Sequence, residues 1–265
     1  MGLYNNRIVV KVGTSTLTND AGKSDLRTTD RLACVLSDIQ NMGYEVVLVS
    51  SGAIAVGRNK LNMTAKPDSM RMKQAAAAVG QCSLMYLYDK FFGDYDKTVA
   101  QILLNADDIE EEEKKENLIN TFNALLEMGV IPIVNENDSV SYKEIESEDR
   151  LFGDNDMLSA VVAVLCRAKH LVIFSDIDGF YDHDPRLYPN AQLIDQIDTI
   201  DDIVYALAGG AGSRRGTGGM RTKLQAASLA TSQGTNTIVT NGKRPEVLYD
   251  IIKGGRAGTL FPGKI

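Results

Sequence analysis

An α/β fold with a mainly parallel sheet follows from three features of the sequence. Short β-branched runs alternate with longer helical patterns almost from end to end, the sequence form of βαβ units. Runs such as EVVLVS (45–50) and HLVIFSD (170–176) are nearly all apolar, as expected of parallel strands covered on both faces. The 265 residues suffice for one sizeable core, and no linker, repeat or low-complexity tract divides them. A single domain over 1–265 is therefore expected.

The elements follow in order. RIVVKV (7–12) reads as a strand, 28–43 as an amphipathic helix closed by Gly43, and 45–50 as a second strand. SSGAIAVG (50–57) opens a helix in small residues, and a long helical pattern runs over 68–92, where QAAAAVGQ (74–81) suggests close helix packing. KTVAQILL (97–104) is a strand; 109–129 is a helix with an acidic run near its start, favourable for the dipole and read as a solvated face. VIPIVNEND (130–138) is a strand ending in polar residues, 139–152 a β-ribbon or flap, and 153–168 an apolar helix with Asp154 or Asn155 as N-cap. After the strand at 170–176 come the loop IDGFYDHDPR (177–186), a short helix near 201–208 and a glycine loop. A helix over 219–233, a strand over 237–240, a helix in PEVLYDIIKG (245–254) and an edge strand in GTLF (258–261) complete the order.

Composition excludes several function classes. The formal charge of −7, from 28 basic and 35 acidic residues, repels polyanions, and the largest basic cluster is Arg214, Arg215, Arg221 and Lys223, so no nucleic-acid partner is expected. The start MGLYNNRIVVKVG lacks a targeting pattern and no run of about 18 apolar residues occurs, so a cytoplasmic, soluble protein without membrane attachment is expected. Cys34, Cys82 and Cys166 are far apart and read as small buried hydrophobes in a reducing compartment. His170 and His183, the only histidines, have no cluster at ligand spacing around them. Neither a protein-built metal site nor a Ser-His-Asp triad is expected, and both histidines read as structural.

In parallel α/β sheets, ligands bind outside the carboxyl ends of the strands, so the polar residues just after each strand carry the functional signal. Lys11 lies inside an apolar strand, followed at once by Gly13, Thr14 and Ser15, and a buried lysine needs an anionic partner. Ser50 to Gly57, the knots NEND (135–138) and GDND (153–156), and the pair Ser175 and Asp176 follow other strands. Asp can bind an ammonium and Asn can both donate and accept, so the knots suit a charged small molecule. GTGGMRTK (216–223) fits neither the Walker A nor the dinucleotide pattern, yet sets Lys223 at the start of a helix. Phosphoryl transfer to a carboxylate would fit the lack of an imidazole base. A carboxylate, with a reference pKa of about 4, is already deprotonated. Positioning and charge neutralisation then suffice. Lys11 and Lys223 are best placed for that work, and Asp156 could orient both by pairing with them.

With these residues in view, the chain resembles the amino-acid kinases over essentially its whole length. The motifs, in order, are VVKVGTS (9–15), VSSGAIAVG (49–57), KQAAAAVGQ (73–81), VNENDSV (134–140), GDNDMLSA (153–160), DGFYDHDPR (178–186) and GTGGMRTKLQAA (216–227). The combination of NEND, GDND and GTGGM-x-TK is specific to the members that phosphorylate L-glutamate. The resemblance implies a three-layer αβα sandwich and transfer of the ATP γ-phosphate to the glutamate γ-carboxylate, with Mg²⁺, in proline synthesis. It implies that Lys11 contacts ATP phosphate, that Lys223 is the second catalytic lysine and that Asp156 organises the two. Ser51, Asp138 and Asn155 are similar to the glutamate binders. Ser175 and Asp176 match a nucleotide pair that is usually Thr-Asp, and Thr217, Gly218, Gly219, Met220, Arg221, Thr222 and Lys223 match the nucleotide loop. Feedback inhibition by proline and a homo-oligomer are also implied. Many members carry a C-terminal RNA-binding-like PUA domain, which is not expected in a chain stopping at Ile265. The alternatives are a relative acting on acetylglutamate, aspartate or carbamate, and a non-catalytic sensor of the same fold. Asp138 favours a free α-ammonium over an N-acetylated acceptor, and retention of both lysines with Asp156 argues against a sensor.

Overall fold

The computed structural model describes residues 2–19, 23–140, 155–208 and 219–264. The expected flap at 139–152 falls almost entirely outside them. Among the described residues, seven strands form one sheet: β1 (Tyr4–Lys11), β2 (Glu45–Val49), β3 (Val99–Leu104), β4 (Ile131–Glu136), β5 (Ala168–Ser175), β6 (Asn236–Asn241) and β7 (Thr259–Phe261). Their order is β3-β4-β2-β1-β5-β6-β7, parallel throughout except that β7 runs antiparallel to β6 at the edge. The helices are α1 (Thr14–Leu17), α2 (Leu26–Asn41), α3 (Ala53–Lys60), α4 (Met70–Gly93), α5 (Asp107–Glu110), α6 (Glu112–Glu127), α7 (Asn155–Leu165), α8 (Asp202–Leu207), α9 (Met220–Ser232) and α10 (Val247–Ile252).

Alternation along the strands divides the core in two. Ile8 and Val10 pack with residues of α2, α3, α4 and α10, whereas Val9 packs with α6, α7 and α9 on the opposite face. The fold is thus a three-layer αβα sandwich. Period-two alternation places Lys11 on the face of Val9, under α7 and α9. The connection from β1 leads to β2 on one side and that from β5 leads to β6 on the other, so the crevice at the carboxyl ends of β1 and β5 is a topological switch point.

Several boundaries differ from the sequence expectation, each for a local reason. The helix expected over 109–129 is interrupted at Glu111, whose backbone is extended (φ −86°, ψ 114°). Four consecutive glutamates, 110–113, would repel within one continuous turn. The break instead places Glu112 and Glu113 in a fresh first turn and lets Glu111 meet Lys114 at 2.7 Å. The helix expected over 153–168 stops at Leu165, because Arg167 adopts φ 50° and turns the chain into β5. β1 begins three residues before Arg7, at Tyr4, whose N–H donates to Arg167 O at 2.9 Å. The four-residue α1 is too short for a periodic signal.

Of the cysteines only Cys166 is buried; Cys34 is half-buried and Cys82 is exposed. The packed side of α4 carries Ala76, Ala77, Gly80, Leu84 and Tyr88, and Cys82, two residues beyond Gly80, turns away from it. The reading of all three as buried hydrophobes therefore holds only for Cys166. His183 is exposed, whereas His170 is half-buried on β5, where burial and Lys169 hold its imidazole below the usual pKa.

α3 and α4 cross with their backbones in contact. A Cβ on Gly57 would lie 1.7 Å from Ala76 O, and one on Gly80 would lie 1.7 Å from Ala53 O. No side chain fits at either position, so the helices stay fixed to each other. Gly57→Ala is expected to lower stability by at least about 2 kcal/mol through this overpacking, read as a shifted urea midpoint with an unchanged slope.

Candidate active site

The carboxyl edge of the sheet gathers polar residues from β1, β2, β4, β5, α7 and α9. At its centre lies Asp156, in the first turn of α7 and fully buried. Lys11, at the end of β1, places Nζ 2.6 Å from Asp156 Oδ1, and Lys223, in the first turns of α9, places Nζ 2.9 Å from Oδ2. Both lysines are buried. The Thr222 hydroxyl lies 2.9 Å from Asp156 Oδ2 and also 2.9 Å from Gly219 O.

Burial is the largest single influence on the Asp156 carboxyl and pushes its pKa up. The ammonium groups of Lys11 and Lys223 overcome it and hold the carboxyl well below the usual range. The three side chains together carry one excess positive charge beside the N-termini of α7 and α9, where backbone N–H groups are also positive. That is a setting for a polyanion. Gly13 adjoins it; a Cβ at that position would lie in van der Waals contact with Lys11 Nζ, at 3.5 Å.

The second half of the site lies at the ends of β2 and β4. Asn155 Nδ2 donates to Ser51 Oγ at 2.7 Å and to Ser50 O at 3.0 Å, and lies 3.2 Å from Asn135 Oδ1. Gly52, at φ 95°, carries the turn into α3 that brings Ser51 to this point. Asp138 is half-buried just beyond β4, and burial pushes its carboxyl up to about 6. At the end of β5, Ser175 Oγ lies 3.4 Å from Asp176 Oδ1, and Asp176 Oδ2 lies 3.9 Å from Arg186 Nη2.

Similarity to known proteins shows the family. The model of the amino acid kinase family matches residues 6–241. The chain belongs to the amino acid kinase family. It is 55% identical to a glutamate 5-kinase of Clostridium perfringens, over 97% of this chain and 96% of that protein. It is 50% identical to one of Listeria innocua, over 97% and 93%. Among solved structures it resembles a carbamate kinase from Giardia lamblia bound to AMP-PNP, with TM-score 0.66 and 16% identity over 99% of each chain. It also resembles a UMP kinase from Bacillus anthracis, with TM-score 0.66 and 14% identity over 98% of this chain and 97% of that one. At such identities these two carry the fold alone.

Within this amino acid kinase, the structure brings Lys11, Asp156 and Lys223 into direct contact and Ser51 into contact with Asn155. Gly219 is the N-cap of α9, and Arg221 in its first turn lies 5.9 Å from the centre of the Tyr205 ring. Thr217 and Gly218 lie outside the described residues. Sequence reasoning passed over two participants: Gln81, which accepts from Asn135 Nδ2 of the NEND knot at 2.9 Å, and Tyr88, whose OH lies 2.8 Å from Ser50 Oγ. Gln81 and Tyr88 sit on a long helix, where polar residues give no signal of their own. Among the described residues no helix is long and apolar enough to cross a membrane, and no three His, Cys, Asp or Glu side chains are placed to hold a metal ion.

Because the folded Asp156 pKa is depressed, its ionised form adds stability that is complete above the ordinary carboxylate range and is lost as pH falls through the folded value. Asp156→Asn leaves two buried ammonium groups without this counter-charge and should cost roughly 3–5 kcal/mol at pH 7. Urea denaturation of both proteins from pH 7 down to about pH 3 should show the difference shrinking below about pH 4.

Proposed function

We propose that the protein transfers the γ-phosphoryl group of ATP to the γ-carboxylate of L-glutamate, giving L-glutamyl 5-phosphate and ADP, the first step of proline synthesis. The observation that carries this reading is the buried carboxylate of Asp156 holding two lysines at the carboxyl edge of the sheet. The similarity to proteins named glutamate 5-kinase supports the choice of acceptor.

A γ-carboxylate oxygen attacks the γ-phosphorus, the bond from that phosphorus to the β,γ-bridging oxygen breaks, and ADP leaves with the electron pair. No proton need move, so the site requires no imidazole. Lys11 and Lys223 neutralise charge on the transferring phosphoryl and the leaving oxygen, and Asp156 keeps both ammonium groups in place before the nucleotide arrives. Ser51, Asn155 and Asp138 hold glutamate, the Asp138 carboxylate taking the α-ammonium. Ser175, Asp176 and the 217–223 loop hold the nucleotide. Mg²⁺ enters on the ATP phosphates, the usual route for an ion that keeps most of its waters. Proline shares the α-ammonium and α-carboxylate of glutamate, which supports it as an inhibitor at the same contacts. A homo-oligomer is part of the same proposal.

An N-acetylated acceptor would have no ammonium for Asp138, and a sensor would have no use for two lysines drawn onto one carboxylate. ATP-dependent ADP release with glutamate, acetylglutamate, aspartate and carbamate, with hydroxylamine trapping the acyl phosphate, tests the assignment. Glutamate should give the highest kcat/KM, and preference for another acceptor rejects the proposal. Lys223→Ala should lower kcat by about 10²–10³ while leaving the glutamate KM nearly unchanged. A change in KM alone would make Lys223 a substrate binder. For Asp138, protonation below its value of about 6 removes the partner of the ammonium. The glutamate kcat/KM should therefore fall towards tenfold per pH unit below about pH 6, and Asp138→Asn should flatten that limb while lowering the plateau.

A further inference from the structure

Gln81, half-buried on α4, takes no part in the chemistry above, yet it closes a chain of side-chain amides running to the proposed glutamate pocket. Its Oε1 accepts from Asn135 Nδ2 at 2.9 Å. Asn135 Oδ1 accepts from Glu136 N at 3.0 Å and faces Asn155 Nδ2 at 3.2 Å. Asn155 Nδ2 in turn reaches Ser50 O and Ser51 Oγ.

Two backbone groups whose polarity cannot change identify which atom of each amide faces which neighbour, and the neighbouring side chains hold each amide in place. The Glu136 N–H can only donate, so the Asn135 atom facing it is Oδ1. Nδ2 of Asn135 then faces Gln81, which must present its oxygen. At the other end Ser50 O can only accept, so the Asn155 atom facing it is Nδ2. Ser51 Oγ receives that amide hydrogen and has its own proton to give elsewhere, while Asn155 Oδ1 accepts no bond from the described residues. One donor and one acceptor are thereby presented with fixed polarity. They suit the carboxylate and the ammonium of a free amino acid.

We infer that Gln81 is a positioning residue for the amino-acid acceptor: it holds the Nδ2 end of the Asn135 amide and, through the contact of Asn135 Oδ1 with Asn155 Nδ2, supports Asn155 in the orientation that Ser50 O selects. This rests on the reading of that pocket as the glutamate site. The backbone under Gln81 is rigid, because the preceding Gly80 is pressed against α3 at Ala53 O, so only the side chain need be held. Without the Gln81 oxygen, the buried Asn135 amide loses the acceptor of its Nδ2 and is held only through Oδ1, so the support it gives Asn155 weakens.

Steady-state kinetics of Gln81→Met and Gln81→Glu test the inference. Gln81→Met, of similar length but without the acceptor, should raise the glutamate KM about tenfold or more, with kcat and the ATP KM within about threefold. Gln81→Glu keeps a carboxylate oxygen at the same reach and should bring the glutamate KM back to within about threefold of the unsubstituted protein. A glutamate KM unchanged in Gln81→Met overturns the inference. So does a joint shift of glutamate KM, ATP KM and thermal midpoint that Gln81→Glu fails to reverse, since that marks Gln81 as a packing residue. If Gln81→Met does not fold, the Glu variant decides: a retained glutamate KM supports the role of the acceptor and a tenfold rise rejects it. Failure of the unsubstituted protein to phosphorylate glutamate rejects the proposed function instead, which keeps the two failures apart.

Discussion

The carboxylate of Asp156 is the constraint around which the active edge is arranged. It is wholly enclosed, and an enclosed anion is tolerable only when paired. Lys11 and Lys223 each place an ammonium within 3 Å of it, from the central strand and from α9. Each of the three would be costly to bury alone. Together they bind β1, α7 and α9 into one unit and leave a surplus of positive charge facing the crevice. Removal of the carboxylate would undo the burial of both cations at once, so structure and charge balance depend on the same side chain.

The first turn of α7 joins the two halves of the site. Successive helical residues point about 100° apart, so Asn155 and Asp156 serve different neighbours. Asn155 bonds to the ends of β2 and β4, and Asp156 to β1 and α9. The carboxylate half suits phosphate and the amide half suits a zwitterion. Both therefore move with one helix end, and the separation of Asn155 from Asp156 is set by covalent geometry. The close contact of α3 with α4 supports the amide half from behind, holding the turn at Ser51 and Gly52 on one side and Gln81 on the other.

Most of the fold was legible because it depends on periodic burial. β2 and β5, enclosed on both faces, announce themselves as apolar runs, and α2 and α4 as long helical patterns. The errors lie where local electrostatics or geometry outweighs period: the glutamates that split α5 from α6, the positive φ of Arg167, and the short α1. The cysteines misled because an apolar neighbourhood in sequence does not say which side of a helix is packed. Cys82 lies in such a neighbourhood and is exposed.

For the candidate site, the sequence by itself determined which groups could act: a lysine in an apolar strand, two Asn-Asp knots, and a glycine loop ending in a second lysine. It also determined that these follow strands or open helices, hence share one edge of a parallel sheet. Only the tertiary structure decided how they meet. Lys11 and Lys223 are separated by most of the chain, and their convergence on Asp156 depends on the strand order, which places β1 centrally with α7 and α9 over one face. Gln81 remained hidden for the same reason. A polar residue on a helix usually faces water, and what makes this one different is a strand from elsewhere in the sequence that delivers Asn135 to within 2.9 Å of it.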